Sequence, residues 1–117
     1  MIETFGLPFP RADARRKRKI YVYIPDRADA MLSDDMPGFP VLYMFDGHNV
    51  FFDEDAPYGR SWGMKTYLEE HDLPLIVVGL DCNHSRNNGR LREYAPFSFD
   101  DPDLGHFQGR GKTTMEW

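Results

Sequence analysis

Residues 39–51 read FPVLYMFDGHNVF, an apolar run that ends abruptly at an Asp-Gly pair. Val41–Phe45 is apolar without alternation, which is typical of a strand that is covered on both faces in a parallel sheet. Gly47 then allows a close approach of the backbone at the turn that follows. The run predicts a buried strand of an α/β sheet, with Asp46 at the carboxyl end, where ligands bind in open α/β sheets.

The residues after this run predict a helix and a second buried strand. Apolar residues at helical spacing predict a helix that has its N-cap at Ser61 and ends near His71. A second continuous apolar run, Leu75–Leu80, ends at Asp81. Strand, helix and strand in this order predict one right-handed crossover unit of an α/β sheet.

The flanking segments extend this pattern in both directions. Ile2–Leu7 and Lys19–Ile24 predict an antiparallel pair of strands. Residues 82–111 are rich in Asn, Gly, Pro, Arg and Asp, which predicts a long loop of the kind that usually lines a site. Residues 112–117 predict the first turns of another helix, without a stop signal. We therefore expect one domain, or part of one, that breaks off within an element.

Composition and charge narrow the class of protein. The 117 residues are 41% hydrophobic and carry a formal net charge of -5, which is typical of a folded globular chain. The sequence has no run of roughly 18 apolar residues that would span a bilayer, and its N-terminus has no signal-peptide pattern. Cys82 is the single cysteine, so an internal disulfide is impossible. These features predict a cytoplasmic protein without a membrane partner.

A basic run at residues 15–19 interrupts the acidic background, and it is one alternative site for nucleic acid. Alternating residues follow in Ile20–Ile24, which favours a solvated turn that leads into a strand. The rest of the chain is acidic and would repel phosphate. We therefore expect no nucleic-acid partner, and an absence of salt-dependent DNA binding would test this.

Five segments together resemble one family of α/β-hydrolases. Besides FPVLYMFDGHNVF, they are RKIYVYIP (18–25), SWGM (61–64), PLIVVGLD (74–81) and REYAP (92–96), which occur in the family's order. The family includes esterase D-like enzymes, feruloyl esterases, siderophore esterases and mycolyltransferases. The resemblance spans essentially the whole chain, but only the N-terminal half of a family member. It implies that residues 1–117 are the N-terminal portion of an α/β-hydrolase sheet, truncated before the nucleophile strand.

The resemblance also implies a function and a site. The parent protein would be a serine esterase that forms an acyl-enzyme from a small-molecule ester, without a cofactor. Its oxyanion hole would use the main-chain N–H of His48, in the loop after the third strand, and the imidazole would be incidental. The expected substrate-binding residues are Asp46, Gly47, Asn49, Trp62, Arg92 and Tyr94. For Arg92, a structural pair with Glu93 is the simpler interpretation.

Two other chemistries are disfavoured by the sequence. Residues 59–63 spell Gly-x-Ser-x-Gly, but a nucleophile elbow needs a buried strand before the serine, and residues 53–58 are charged and contain proline. Ser61 is therefore interpreted as a helix cap. The side chains of Asp46, His48, Asp53 and Asp55 match no compact zinc or calcium loop, so no metal site is expected. The family's nucleophile, acid and histidine have no counterpart here, and we expect the chain to be inactive alone.

A small non-catalytic α/β module that binds a sugar or a protein through residues 46–58 is the alternative function. A closed, capped domain would favour that module, whereas an uncovered apolar strand edge would favour a truncated hydrolase. In the hydrolase strand order, the fifth strand pairs with Val41–Phe45, and this chain ends before it. The resulting apolar edge predicts self-association.

Overall fold

The computed structural model describes residues 1–9, 16–86, 88–95, 97–103, 105–109 and 111, apart from the side chain of Phe107. The chain divides into two compact units, the first of residues 1–7 and 19–81 and the second of residues 8–18 and 82–117. The helix predicted at residues 112–117 lies outside the described residues. Within the described ranges, no helix is both long enough and apolar enough to cross a membrane.

A four-stranded sheet forms the framework of the first unit. Its strands are β1 (Ile2–Pro8), β2 (Lys17–Tyr23), β3 (Val41–Phe45) and β4 (Ile76–Leu80). Their order is β1-β2-β4-β3, with β4 parallel to β3 and antiparallel to β2. The N–H of Ile24 donates to Met1 and that of Phe9 to Arg16, so β1 and β2 run antiparallel. The predicted fold class, a partial α/β sheet, is therefore confirmed.

The core of the first unit combines the sheet with two segments between β3 and β4. These segments are the turn after β3 and the helix α2 (Met64–His71), which buries Leu68 completely. The short helix α1 (Ala28–Met31) lies between β2 and β3 and has no buried residue. Leu68 packs in one cluster with side chains from β2, β4 and the turn after β3. The cluster comprises Tyr21, Tyr23, Val50, Phe51, Leu68 and Val77.

The start of α2 differs from the prediction. The helix begins at Met64, and its N-cap is Gly63, which has a left-handed backbone with φ 72°. Glycine adopts this conformation without steric cost, so the chain enters the helix at Gly63 and needs no serine cap. Ser61 instead accepts a hydrogen bond from the N–H of Gly63 at 3.3 Å. Its predicted role as the cap is therefore wrong.

No strand directly precedes Ser61. The preceding elements are a 3-10 turn (Asp53–Asp55) and the turn that ends near Gly59. A nucleophile elbow presents its serine at the end of a buried strand. The local structure around Ser61 therefore lacks the strand that a nucleophile elbow requires, as the sequence predicts.

β3 lies at the edge of the sheet and is more exposed than its sequence predicts. It pairs with β4 on one side, and no strand in the described part of the chain pairs with the other side. Tyr43 is 66% exposed and Phe45 is 56% exposed. Burial of β3 on both faces is therefore a wrong prediction for this chain. The edge position itself agrees with the hydrolase strand order.

The second unit has more regular structure than the long loop predicted for residues 82–111. It contains α3 (Gly89–Tyr94) and a hairpin formed by β5 (Phe99–Asp101) and β6 (Gly105–Phe107). In the hairpin turn, the carboxylate of Asp101 accepts a hydrogen bond from the N–H of Asp103 at 2.9 Å. Strands this short carry too few residues for a recognisable alternation, which explains why the pattern did not predict them.

Within the basic run, Arg16 and Lys17 are exposed as predicted for a solvated segment, whereas Arg18 is buried. Arg18 is only 3% exposed, and its guanidinium donates to the carboxylate of Glu93 on α3. It also lies 4.4 Å from the ring centroid of Phe9. Glu93 accepts a second hydrogen bond, from the N–H of Asn83 at 2.8 Å. Glu93 thus forms a structural ion pair in which Arg18 is a partner.

Candidate functional site

The turn after β3 gathers four of the predicted site residues. Gly47–Asn49 forms one 3-10 turn, and Asp46 enters it with a left-handed backbone at φ 54° and ψ 46°. The carbonyl of Asp46 accepts a hydrogen bond from the N–H of Asn49 at 2.8 Å. Asp46 and His48 are both buried, at 8% and 7% exposure. His48 is therefore not a loop histidine that faces water.

The turn rests directly on the end of β4. A Cβ atom at Gly47 would lie 2.7 Å from the carbonyl carbon of Gly79 and 2.9 Å from the nitrogen of Asp81. Both are main-chain atoms held in the sheet, so only glycine fits at this position. The requirement comes from this close approach and not from the backbone angle, because the positive φ in the turn belongs to Asp46.

The imidazole of His48 has a buried acidic partner. Its Nδ1 lies 2.6 Å from Oδ1 of Asp81, the residue directly after β4. Its Nε2 lies 3.3 Å from the side-chain amide nitrogen of Asn49. An amide nitrogen can only donate, so Nε2 accepts, and Nδ1 is the ring nitrogen that lies next to the carboxylate. The imidazole is therefore part of the turn's structure and not incidental to it.

Asp81 was not among the site residues predicted from the sequence. It follows the apolar run of β4 as Asp46 follows that of β3. Because β3 and β4 are parallel neighbours, their carboxyl ends meet at one edge of the sheet, where ligands bind in open α/β sheets. An acidic residue directly after each of the two apolar runs therefore indicates that Asp81 lies near the turn after β3.

A second polar cluster anchors the loop that follows the turn. Oδ2 of Asp55 accepts hydrogen bonds from Nζ of Lys19 at 2.9 Å and from the hydroxyl of Tyr21 at 2.7 Å. The bond from Lys19 is the main cause that holds the pKa of Asp55 below its ordinary value, and His48 adds to this lowering. Burial, together with Asp55, raises the pKa of Tyr21, so the phenol stays a neutral donor.

Replacing Asp55 by asparagine tests this cluster through its pH dependence. Because the folded-state pKa lies below the ordinary 3.8, the carboxylate stabilises the fold above that pH and loses the effect as pH falls through the folded-state pKa. We expect Asp55→Asn to cost about 1 kcal/mol at pH 7 and almost nothing in acid, measured by urea denaturation. Asp34→Asn, in an exposed loop, is the control. An equal loss at both pH values would contradict the assignment.

Trp62 is joined to the turn through its main chain. Its N–H donates to the carbonyl of Asn49 at 2.7 Å, while the indole is 55% exposed. The ring is thus accessible beside the turn and is not a core side chain. The remaining predicted site residues, Arg92 and Tyr94, belong to α3 in the second unit, where the guanidinium of Arg90 lies 5.3 Å from the Tyr94 ring centroid.

The fold matches parts of two solved structures. One is an IroE-like serine hydrolase from Shewanella oneidensis, with a TM-score of 0.58 and 20% sequence identity over 97% of this chain. The other is the BES protein from Bacillus cereus, with a TM-score of 0.55 and 18% identity over 97%. The matches cover 34% and 41% of those chains, so this chain spans about a third to two fifths of their length. No family model and no curated protein sequence matches. The chain therefore has the fold of one part of these larger proteins.

Proposed function

We propose that residues 1–117 form the N-terminal part of a serine hydrolase that acts on an ester. In this proposal, the turn at residues 46–50 supplies one oxyanion donor, the main-chain N–H of His48. The observation that carries the proposal is the position of this turn, directly after β3, in a fold that resembles part of a serine hydrolase. α/β-Hydrolases take one of their two oxyanion donors from the loop at this point of the sheet.

The proposed reaction needs a nucleophilic serine from outside these residues. Its hydroxyl oxygen attacks the ester carbonyl, and a histidine base takes the hydroxyl proton. Negative charge develops on the former carbonyl oxygen, which accepts hydrogen bonds from His48 N–H and from a second N–H after the nucleophile. The alcohol leaves with the proton that the base returns, and water then hydrolyses the acyl-enzyme.

The other predicted site residues would contact the substrate. Asp46 and Asn49 flank the proposed donor. The main-chain N–H of Trp62 donates to the carbonyl of Asn49, and its indole is exposed. Arg92 and Tyr94 stay predicted pocket residues. We expect residues 1–117 to be inactive alone, because they supply only one donor and part of a pocket.

The coding sequence downstream of codon 117 tests this function. We call the product of a reading frame that continues beyond that codon the extended protein. A fluorophosphonate probe should label one serine beyond residue 117 and abolish hydrolysis of p-nitrophenyl esters, and Ser61→Ala should leave both unchanged. Labelling at Ser61 would contradict the proposal. So would a reading frame that stops without an apolar run followed by Gly-x-Ser-x-Gly.

Among the described residues, no strand covers the outer edge of β3, and this supports a hydrolase part over a self-contained binding module. Val41, Tyr43 and Phe45 are 44%, 66% and 56% exposed, and the strand contains neither proline nor charge. Strand edges of this kind pair with other chains unless they are covered. We therefore propose that the isolated 117-residue chain pairs with a second copy along β3.

Size-exclusion chromatography with light scattering measures this pairing. We expect dimers or larger species, and Tyr43→Lys, at the centre of β3, should convert them to monomers because a charge blocks edge pairing. Tyr58→Lys is the matched control, since Tyr58 is 97% exposed but lies outside β3. A monodisperse monomer of the unaltered chain would contradict the proposal and favour the binding module.

A further inference from the structure

We propose that Asp81 is a positioning residue for the turn at residues 46–50, and that it acts through the imidazole of His48. The catalytic part of this inference rests on the proposed function. The structural part rests on contacts within the first unit alone. The two parts can therefore fail separately.

A continuous line of polar contacts leads from Asp81 into the turn. The carboxylate lies 2.6 Å from Nδ1 of His48, and Nε2 of the same ring accepts from the side-chain amide of Asn49 at 3.3 Å. The carbonyl of Asn49 then accepts the N–H of Trp62 at 2.7 Å. Each link joins the next through a side chain or a peptide group of the turn. A change at Asp81 is therefore transmitted to the peptide groups of His48 and Asn49.

Asp81 is itself firmly placed. Its main-chain N–H donates to the carbonyl of Lys19 on β2 at 3.1 Å, and its nitrogen lies against Gly47. The residue is 9% exposed, so its carboxylate has little contact with bulk water. Asp81 therefore connects the sheet to the turn twice, once through its backbone at Gly47 and once through its carboxylate at His48.

The turn is a short element that gains from such support. A single 3-10 turn has poorer hydrogen-bond geometry than an α-helix, and a non-glycine residue with a left-handed backbone adds strain. Asp46 carries that strain at the entry to the turn. An oxyanion donor must be held within about 0.5 Å of its productive position. Asp55, whose pKa is also affected by His48, is bound to Lys19 and Tyr21, whereas the carboxylate of Asp81 lies directly at Nδ1 of the ring.

Hydrogen–deuterium exchange of the 117-residue chain tests the structural link without any substrate. We expect Asp81→Ala and His48→Ala each to speed exchange of the peptide that covers residues 47–50 about tenfold, and the double variant to add little, because both remove one interaction. Asp81→Asn keeps an acceptor oxygen and should stay close to the unaltered chain. Arg27→Ala, which removes an exposed ion pair with Asp72, is the control. Unchanged exchange at residues 47–50, or faster exchange spread evenly over β2 and β4, would overturn the proposal.

A rescue experiment separates positioning from general stability. The amide nitrogen of asparagine reaches the place of imidazole Nδ1, so His48→Asn should restore most of the protection that His48→Ala removes. In the extended protein, Asp81→Ala should lower kcat about tenfold and leave KM unchanged, and His48→Asn should again recover activity. A raised KM with unchanged kcat would overturn the catalytic part. If the extended protein has no esterase activity but the exchange results hold, the proposed function fails and the structural link stands.

Discussion

Replacing Glu93 by alanine is expected to destabilise the second unit by about 3–5 kcal/mol, because it leaves the buried guanidinium of Arg18 without its carboxylate. The side chains of this pair are 3% and 7% exposed, so water cannot take the place of the lost partner. Amide exchange of α3 measures the loss within the second unit. Glu93→Gln keeps an oxygen for the N–H of Asn83, and its smaller effect would separate that hydrogen bond from the charge.

A double replacement tests whether charge burial is the cause. Arg18→Met with Glu93→Leu removes both charges and should recover most of the lost stability, since well-packed apolar residues often replace a buried ion pair without loss. Arg27→Ala removes a pair whose side chains are 69% and 53% exposed, and it should cost less than about 1 kcal/mol. If the double replacement is as unstable as Glu93→Ala, then packing against Phe9 and not the charge determines the stability.

Replacing Gly47 by valine is expected to lower kcat of the extended protein by about 10²–10³-fold, the loss that follows when one oxyanion donor is displaced. The new Cβ would lie 2.7–2.9 Å from main-chain atoms of Gly79 and Asp81, so the turn must move away from β4. Overpacking of this kind also costs about 1–3 kcal/mol of stability, which urea denaturation measures. The catalytic loss should exceed what the stability loss explains.

The matched control for Gly47→Val is Gly38→Ala. A Cβ at Gly38 meets nothing within 4 Å, and its φ is not in the left-handed region. We expect this variant to retain full activity and stability. An active Gly47→Val enzyme with ordinary kcat would show that the oxyanion donor lies elsewhere.

The central part of the fold follows from local patterns. The two apolar runs predict β3 and β4. The order of strand, helix and strand predicts that the two strands are parallel, because a helical crossover of this kind joins parallel strands of one sheet. The abrupt end of the first run at residues 46–47 predicts the turn that carries the candidate site. These features depend on residues close together in the chain, so the sequence alone reveals them.

The other features depend on contacts between distant residues. Arg18 lies in a basic run that is typical of a solvated segment, and its buried partner Glu93 is 75 residues away. The partner of His48 is Asp81, which becomes its neighbour only when β4 pairs with β3. The start of α2 depends on Gly63, whose left-handed backbone takes the place of the side-chain cap predicted at Ser61.

The central claim is that the main-chain N–H of His48 is an oxyanion donor, and a crystal structure of the extended protein with a covalently bound phosphonate tests it most directly. The phosphoryl oxygen stands in for the oxyanion of the tetrahedral intermediate. The account predicts that this oxygen lies about 2.7–3.1 Å from the nitrogen of His48, with Nδ1 of the imidazole still against Asp81. A phosphoryl oxygen more than about 3.5 Å from that nitrogen, or bound by donors outside residues 46–50, would contradict it.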